Sequence, residues 1–338
     1  MAWQRISTSF LVIAVIVLAA DVSFSTASFP SLLTRKSGPT STTPRSKPAC
    51  TSPSPSQPLA PSPSPYADDV IKATLHAKKP PAQAMLSIGG ANSGPGTFSN
   101  MVSDGDNRAA FINSTITTAR KYGFDGLDFD WEFPSNPSDM SNLSIFFEEW
   151  WKAVDSEASD SGKPPLLLSA AVYFASRFFI DTPRAYPVEA IAKYLDFVNP
   201  MCFDYHGSWD TSVTAGYGDA TLWKSWKLKD PKNHGIGAPA DGIGPGNNGI
   251  LLYSDIVAYN DEHHASVVYD GETVSEYSYS GTDWIGYDGP TSVEKKVEYA
   301  KTKDLGGYFF WALGYDMNWT LSAIGSIKYM GRNALEPT

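Results

Sequence analysis

Cysteine and histidine are scarce in this chain of 338 residues, which has two of the former and five of the latter. Cys50 lies in a proline-rich stretch and Cys202 in an apolar one. The sequence therefore predicts no disulfide framework, and it predicts Cys202 as a small core residue. No group of histidines, cysteines and acids has the spacing of metal ligands. We expect neither a metal nor any other cofactor.

Positive charge is also in short supply, with 26 Lys and Arg against 36 Asp and Glu and a net charge of −10. This balance disfavours nucleic acid and anionic membrane surfaces as partners, and it suits a neutral substrate. Aromatic residues are plentiful, at 13% of the chain, which is ample for a large core and for platforms that stack on sugar rings. We expect a monomer.

The N-terminus has the pattern of an export signal. Arg5 gives a weakly basic start, residues 10–20 are an uninterrupted apolar run, and small residues at 25–27 offer a cleavage site. Eleven apolar residues are too few to span a bilayer, which needs about 20. The sequence thus predicts a signal peptide over residues 1–27 and a secreted or vacuolar protein, compatible with three glycosylation sequons, at Asn113, Asn142 and Asn318.

Proline, serine and threonine dominate the next stretch, with nine prolines between Pro39 and Pro65. Such a composition cannot bury enough apolar surface to fold, so residues 28–66 are predicted as a disordered linker. The globular domain is expected over residues 67–338.

Beyond the linker, strand and helix patterns alternate, which favours a parallel sheet with crossover helices. The predicted strands are 84–88, 124–130, 166–174, 195–203 and 307–312, and the predicted helices are 107–122, 138–157, 188–194 and 293–301. Residues 247–282 break this rhythm and are predicted as a small α+β insertion before the last strand, with a hairpin turn at Asp270 and Gly271.

Residues 125–132 read DGLDFDWE and carry the strongest functional signal in the chain. Asp128, Asp130 and Glu132 recur at every second position, so a strand here places three carboxylates on one face and apolar side chains on the other. Crowded, buried carboxylates raise one another's pKa. A hydrolase gains from this an acid that stays protonated near neutral pH and can donate to a leaving group.

Two non-catalytic interpretations of this octapeptide are weaker. A solvated acidic edge conflicts with the flanking aromatic residues Phe124, Phe129, Trp131 and Phe133. A site for a hard cation needs a flexible, glycine-kinked loop, whereas bulky apolar residues between the acids favour a strand.

Several ordered motifs resemble those of family 18 glycoside hydrolases. Residues 125–132 are similar to the family's D-G-x-D-x-D-W-E signature, residues 87–90 (SIGG) to its S-x-G-G element, and residues 201–204 (MCFD) to its M-x-Y-D element. Trp311 matches the tryptophan of the last strand. Residues 284–288 (WIGYD), after the insertion, resemble the plant class V chitinases. This resemblance implies a (β/α)8 TIM-type barrel.

The resemblance also implies a mechanism in which the substrate's own 2-acetamido group is the nucleophile. Glu132 is then the general acid and base, Asp130 orients the acetamido N–H, and Asp128 shares a proton with Asp130. Asp204 helps to hold the acetamido group, and Trp311 stacks beneath the sugar. The other predicted substrate-binding residues are Met201, Phe203, Tyr205, Ser87, Gly89 and Gly90.

The chain departs from the family pattern at two levels. Phe203 replaces a tyrosine whose hydroxyl helps to hold the acetamido oxygen, and losing one preorganised donor can cost about 10²–10³ in rate. Tyr205 is the nearest replacement hydroxyl in sequence. Of eight barrel strands only five are identifiable, with strands 1, 2 and 7 missing, so the predicted barrel is incomplete.

Three functional hypotheses follow. The leading one is a secreted chitinase that cleaves β-1,4 bonds in chitin or N-acetylglucosamine oligomers. The second is a glycan-binding, lectin-like protein on the same fold, which Phe203 favours and the intact acids oppose. The third is a remnant that does not fold stably.

Overall fold

In a computed structural model of the chain, residues 13–16, 82–178, 182–203 and 224–331 are described, the first four of them by their backbone alone. The chain divides into two compact units, Met1–Val198 and Asn199–Thr338. The predicted linker and the predicted substrate contacts Asp204 and Tyr205 lie outside the described residues. Within the described ranges, no helix combines the length and the apolar character needed to cross a membrane.

The first unit is built on a parallel sheet. Its strands are Ile13–Ile16 (β1), Gln83–Gly89 (β2), Gly126–Asp130 (β3), Leu167–Tyr173 (β4) and Phe197–Met201 (β7), the last of which begins in this unit and ends in the second. A short antiparallel pair, Arg177–Phe178 (β5) and Arg184–Ala185 (β6), lies between β4 and β7 in sequence. The strand order is β1-β2-β3-β4-β7. The four strands that the sequence predicts in this part of the chain are therefore confirmed.

Helices connect these strands, and the two long ones begin at side-chain caps and end at left-handed glycines. They are Pro95–Ser103 (α1), Gly105–Tyr122 (α2), Pro137–Ser161 (α3) and Val188–Tyr194 (α4). At the start of α2 the Asp104 carboxylate accepts a hydrogen bond from the backbone N–H of Asn107, 2.9 Å away. The same helix ends at Gly123, whose φ of 78° is the left-handed conformation expected of a C′ glycine. The helices predicted at 107–122, 138–157 and 188–194 are confirmed.

An aromatic cluster fills the core between β3 and the helices. Phe129 on β3 lies 4.9 Å from Phe98 and 4.9 Å from Phe146, measured between ring centroids, and Phe146 stacks on Trp150 at 5.1 Å. All four rings are buried. Trp151, the next residue on α3, is 43% exposed, because successive residues on a helix point about 100° apart.

Strand β1 comes from the apolar stretch that the sequence analysis assigns to an export signal. Ile13 pairs with Gln83 and Ile16 with Leu86 in parallel register. The sequence shows no identifiable strand ahead of β2, because an apolar run of this length fits a signal peptide equally well. The structure thus gives β2 a neighbour that the sequence analysis lacks, and the signal peptide stays a prediction.

The second unit contains a five-stranded antiparallel sheet. Its elements are Lys224–Leu228 (β8), Ala240–Ile243 (β9), Tyr253–Glu262 (α5), Ser266–Asp270 (β10), Ser275–Ser280 (β11), Asp283–Tyr287 (β12), Pro290–Thr302 (α6) and Thr320–Met330 (α7). The strand order is β10-β11-β12-β8-β9. The predicted hairpin is present as β10 and β11. The sheet extends beyond the predicted insertion at 247–282, since β8, β9 and β12 lie outside those bounds.

Alternating side chains on β12 separate the two faces of this sheet. Trp284 packs with Trp226 and Tyr277 on one face, and its indole N–H donates to the carbonyl of His234 at 3.1 Å. Ile285 and Tyr287 face the other way, into an apolar cluster formed with α5, α6 and α7. Successive side chains of a strand point to opposite faces, so β12 contributes to a core on each side of the sheet.

Residues 307–312 are predicted as the last strand. This prediction is wrong, because the structure assigns no strand to this described segment. A strand exists only where a neighbour supplies hydrogen bonds, and no strand of the second unit pairs with it. Its side chains are held instead by ring contacts. Tyr308 lies 5.6 Å from Phe310 and 5.4 Å from Tyr329 of α7.

Gly89 offers a direct test of how β2 and β3 approach one another. Its φ is 132°, and a Cβ added there would lie 1.9 Å from the carbonyl oxygen of Asp130. We expect Gly89→Ala to lower the free energy of unfolding by about 2–4 kcal/mol, because both strain and overlap oppose the side chain. Gly96→Ala is the matched control. It lies within α1 with nothing within 4 Å, and it should be neutral or stabilising by up to about 1 kcal/mol. Urea denaturation measures the stability of both variants, and equal unfolding midpoints for Gly89→Ala and Gly96→Ala would contradict the expectation.

Candidate active site

Strand β3 delivers the acidic side chains to one face of the first sheet. All five of its residues are buried. Leu127 and Phe129 pack into the core on one side, so Asp128 and Asp130 project from the other. In register, Asp128 lies opposite Ser87 on β2 and Ser169 on β4, and Asp130 lies opposite Gly89 and Ala171. The predicted alternation of the octapeptide is confirmed for these four residues.

Asp128 is held by one serine from each neighbouring strand. The Ser87 hydroxyl donates to Oδ2 at 2.7 Å, and the Ser169 hydroxyl donates to Oδ1 at 2.6 Å. Burial raises the pKa of Asp128. The hydrogen bonds from the two serine hydroxyls partly offset that rise, and the one from Ser169 contributes more than the one from Ser87. The carboxyl is therefore fixed in place and poised to keep or share a proton.

Asp130 is buried with much less support. Its side chain is only 8% exposed, and within the described residues its Oδ1 has no hydrogen-bond partner. Burial, followed by the charges of Glu132 and Asp128, raises the pKa of Asp130 to about 7. This carboxyl can change its protonation state near neutral pH, which is the property that the sequence pattern predicts for the site.

The paired glycines after β2 let the backbones of β2 and β3 approach closely. The N–H of Gly90 donates to the carbonyl of Asp130 at 2.8 Å. A Cβ at Gly90 would lie 3.7 Å from Asp130 Oδ2, so this glycine borders the carboxylate. Gly89 and Gly90, predicted as substrate-binding residues, thus lie beside Asp130, and Ser87, predicted with them, donates its hydroxyl to Asp128.

Glu132 follows directly after the end of β3 and is half-buried. Phe133, joined to it by a cis peptide bond, packs on Tyr173 at 5.2 Å and on Phe178 at 5.9 Å between ring centroids. The Arg184 guanidinium Nε donates to the carbonyl of Pro134 at 2.5 Å. The segment after the acid is therefore held on both sides, while Glu132 itself stays partly open to solvent.

Two residues of this arrangement escaped the sequence analysis. Ser169 gave a usable signal, since it is a single polar residue in an otherwise apolar strand next to the acidic one. Tyr186 gave none. It is buried, its hydroxyl oxygen accepts a hydrogen bond from the backbone N–H of Tyr173 at 3.2 Å, and it belongs to a segment between β6 and α4 with no motif.

The second unit holds the other described residues that the sequence analysis assigned to substrate binding. Met201 and Phe203 are half-buried, and Phe203 meets Phe309 edge to face at 6.0 Å. Trp311 is exposed and is joined to Ala312 by a cis peptide bond. Cys202, predicted as a core residue, is exposed, since β7 ends at Met201 and this residue follows the strand.

The first unit thus brings together a fixed acid, an acid that titrates near neutral pH, and a partly open acid on one strand end. No group of His, Cys, Asp and Glu among the described residues could hold a metal ion. Closely spaced carboxyls in such different surroundings are suited to general acid–base chemistry at a glycosidic bond.

Comparison with known proteins identifies the family. Residues 67–316 match the family Glycosyl hydrolases family 18. The chain belongs to glycosyl hydrolases family 18. It is a glycoside hydrolase by family, and its residues Asp128, Asp130 and Glu132 lie inside the matched region.

Curated relatives are similar over most of the family 18 chain. A class V chitinase of Lotus japonicus, CHIT5, is 44% identical over 281 residues, covering 73% of this chain and 70% of the relative. Nod factor hydrolase protein 1 of Medicago truncatula is 46% identical over 281 residues, covering 74% and 73%. The predicted resemblance to plant class V chitinases is confirmed.

Solved structures agree on the fold. A mutant class V chitinase from Nicotiana tobaccum in complex with NAG4 superposes with a TM-score of 0.73 at 33% identity, over 79% of this chain and 87% of that one. A chitinase-like agglutinin from Robinia pseudoacacia superposes with a TM-score of 0.68 at 36% identity, over 77% and 84%. The predicted TIM-type barrel is confirmed as the fold, and its incompleteness stays a prediction.

The raised pKa of Asp130 has a consequence for stability. In the unfolded chain the carboxyl ionises near its ordinary value of 3.8, whereas in the folded protein it ionises at about 7. The folded protein therefore loses stability as pH rises from about 4 to about 7 and does not regain it above. Asp130→Asn cannot ionise, so we expect it to be more stable than the parent at pH 8, by about 2–4 kcal/mol.

Below pH 4 the stabilities of the parent and of Asp130→Asn should converge. Asp155→Asn, an exposed carboxylate on α3, is the control for the chemical change itself. Denaturant midpoints at pH 4, 6 and 8 measure the difference, and a gap between parent and Asp130→Asn that does not grow with pH would contradict the assignment.

Proposed function

We propose that the protein is a secreted chitinase that hydrolyses β-1,4 bonds of chitin or N-acetylglucosamine oligomers by the substrate-assisted, retaining mechanism. The observation that carries the proposal is the ordered set of acids on β3. Asp128 is fixed by two serines, Asp130 is buried with a pKa near 7, and Glu132 is partly open. These three environments suit the three roles in the reaction: Glu132 donates the proton, Asp130 orients the acetamido group, and Asp128 shares a proton with Asp130.

The first step breaks the glycosidic bond. Glu132 gives its proton to the glycosidic oxygen, and the leaving sugar departs with that proton. The carbonyl oxygen of the substrate's acetamido group attacks the anomeric carbon and forms an oxazolinium ion. Asp128 does not suit the role of nucleophile, because both of its oxygens already accept serine hydrogen bonds in a buried position.

Asp130 and Asp128 support this step as a pair. An ionised Asp130 accepts a hydrogen bond from the acetamido N–H and offsets the positive charge that develops on the ring. Asp128 takes up the proton that Asp130 releases, since like charges so close together favour sharing one proton. The rise in the pKa of both groups supports such sharing near neutral pH.

The second step restores the enzyme. Glu132, now ionised, removes a proton from water, the water oxygen attacks the anomeric carbon, and the oxazolinium ring opens to regenerate the acetamido group. Two inversions give net retention. Asp204 is assigned to holding the acetamido group, Tyr205 and Met201 to substrate binding, and Trp311 to stacking beneath the sugar.

The substrate class follows from the nucleophile. A sugar without a 2-acetamido group cannot form the intermediate, so glucose polymers are excluded as substrates of this mechanism. The Nicotiana tobaccum relative was solved in complex with NAG4, which supports N-acetylglucosamine oligomers. We infer action as a secreted or vacuolar monomer from the predicted signal peptide and the acidic composition.

A second candidate is a glycan-binding protein with little activity. The similarity to a chitinase-like agglutinin and the presence of Phe203 in place of tyrosine favour it. The retained acids oppose it, because binding alone does not require Glu132.

Hydrolysis of a chitin hexasaccharide separates these candidates. We expect the parent to release shorter oligomers with the β anomer in excess, as retention requires. Glu132→Gln should abolish cleavage, because an amide cannot donate the proton, while oligosaccharide binding by calorimetry is kept. Glu189→Gln, an exposed acid on α4, is the matched control and should keep full activity.

Binding without cleavage by a parent that unfolds cooperatively would favour the agglutinin-like candidate. Equal rates for the parent and Glu132→Gln would overturn the proposal.

Restoring a tyrosine at position 203 tests the departure from the family pattern. If that hydroxyl helps to hold the acetamido oxygen, Phe203→Tyr should raise kcat/KM on the hexasaccharide, by up to about 10²-fold. Phe309→Tyr places the same hydroxyl on the ring that contacts Phe203, 6.0 Å away, and serves as the control. An unchanged kcat/KM in Phe203→Tyr would show that the missing hydroxyl is replaced from elsewhere.

A further inference from the structure

Tyr186 is a buried tyrosine that the proposed reaction does not yet use. It is 7% exposed. Its backbone N–H donates to Ser176 at 3.0 Å, its carbonyl accepts from Val188 at 2.9 Å, and its ring lies 5.7 Å from Phe178. The side chain is therefore held in one place by the hairpin before it and the helix after it.

The hydroxyl of Tyr186 lies at the carboxyl end of β4. Its oxygen accepts the backbone N–H of Tyr173 at 3.2 Å. Ala171, two residues earlier on β4, is the register partner of Asp130. A phenol has one proton to donate besides the lone pairs with which it accepts. The contact with Tyr173 uses a lone pair and leaves that proton for an acceptor at the same strand end.

Asp130 provides such an acceptor. Its Oδ2 faces β2, 3.7 Å from the position that a Cβ on Gly90 would take. The other oxygen, Oδ1, is buried and has no hydrogen-bond partner among the described residues. A buried acceptor without a donor is costly, and native structures rarely keep one without a use.

We propose that Tyr186 is a positioning residue whose hydroxyl donates to Asp130 Oδ1 and so holds this carboxylate ionised and oriented during the reaction. This proposal rests on the proposed function, since it assigns Tyr186 a part in that reaction.

Electrostatics support the same placement. Burial raises the pKa of Tyr186 above its ordinary range, and the hydrogen bond from the Tyr173 N–H and the Arg184 guanidinium oppose that rise. The charges of Asp130 and Glu132 add smaller contributions that raise it further. The charges of both carboxylates therefore act on the phenol.

The other groups around Asp130 in the first unit are accounted for. Asp128 on the same strand and Glu132 after the end of the strand are the charged groups that raise the pKa of Asp130. The β2 side presents Ser87, Gly89 and Gly90, which do not titrate, and β4 presents Ser169 and Tyr173.

A purely structural role is the alternative for Tyr186, because its contact with the Tyr173 N–H would fix the end of β4 by itself. The two roles differ in their effect on ionisation. A hydrogen bond to the carboxylate favours the charged form of Asp130, and a hydrogen bond to a backbone N–H does not.

Tyr186→Phe keeps the ring and removes the hydroxyl. We expect kcat/KM on the hexasaccharide to fall about 10- to 100-fold, as for a lost hydrogen bond to a charged group. The acidic limb of the pH profile should move to higher pH, because Asp130 loses a donor that stabilises its ionised form. Tyr194→Phe, a similarly buried tyrosine on α4, is the control and should leave the limb in place.

A direct titration keeps this test independent of chitinase activity. Carboxyl signals of ¹³C-labelled aspartate, assigned with Asp130→Asn, report the ionisation of Asp130 in the parent and in Tyr186→Phe. We expect the Asp130 titration to move upward by about one pH unit in Tyr186→Phe.

An unmoved titration would overturn the proposal, whatever the rates. An inactive parent would overturn the proposed function while the titration still decided the role of Tyr186.

Discussion

The repulsion among three carboxylates on a single strand is the constraint on which the rest of the site depends. Asp128 and Asp130 project from the same face of β3, and Glu132 follows at its end. Such crowding has no value for folding, and it forces protons to be shared. The first unit accommodates it by dividing the acids among different surroundings. Two serines hold Asp128, a dry position raises the pKa of Asp130 to about 7, and Glu132 keeps access to solvent.

That division shows how stability and function oppose one another here. Each buried carboxyl loses favourable hydration on folding, and Asp130 in particular lowers the stability of the folded protein above neutral pH. The aromatic cluster around Phe129 lies on the opposite side of the same strand. Its burial stabilises the strand that must carry the acids, so the apolar half of the octapeptide offsets the cost of the acidic half.

Features with local causes could be predicted from the sequence. Helix α2 ends where Gly123 permits a left-handed residue, and β3 was recognisable from its alternation. Features that depend on a distant partner could not be. Residues 13–16 carry an apolar pattern that serves export and a strand equally well, and residues 307–312 have strand-forming side chains but no pairing strand in their unit. Within the site, Ser169 and Tyr186 become meaningful only once the sheet places them beside the acids.

The hydrogen bonds that hold Asp128 depend on the alignment of three strands. Ser87 and Ser169 reach this carboxyl only because both neighbouring strands are in register with β3, and a slip by one residue on either side would turn a serine to the opposite face. The protonation behaviour of a single acid therefore reports the alignment of three strands. A chain that paired these strands wrongly could be compact and still be chemically silent, so the enzyme carries within its active site a check on its own folding.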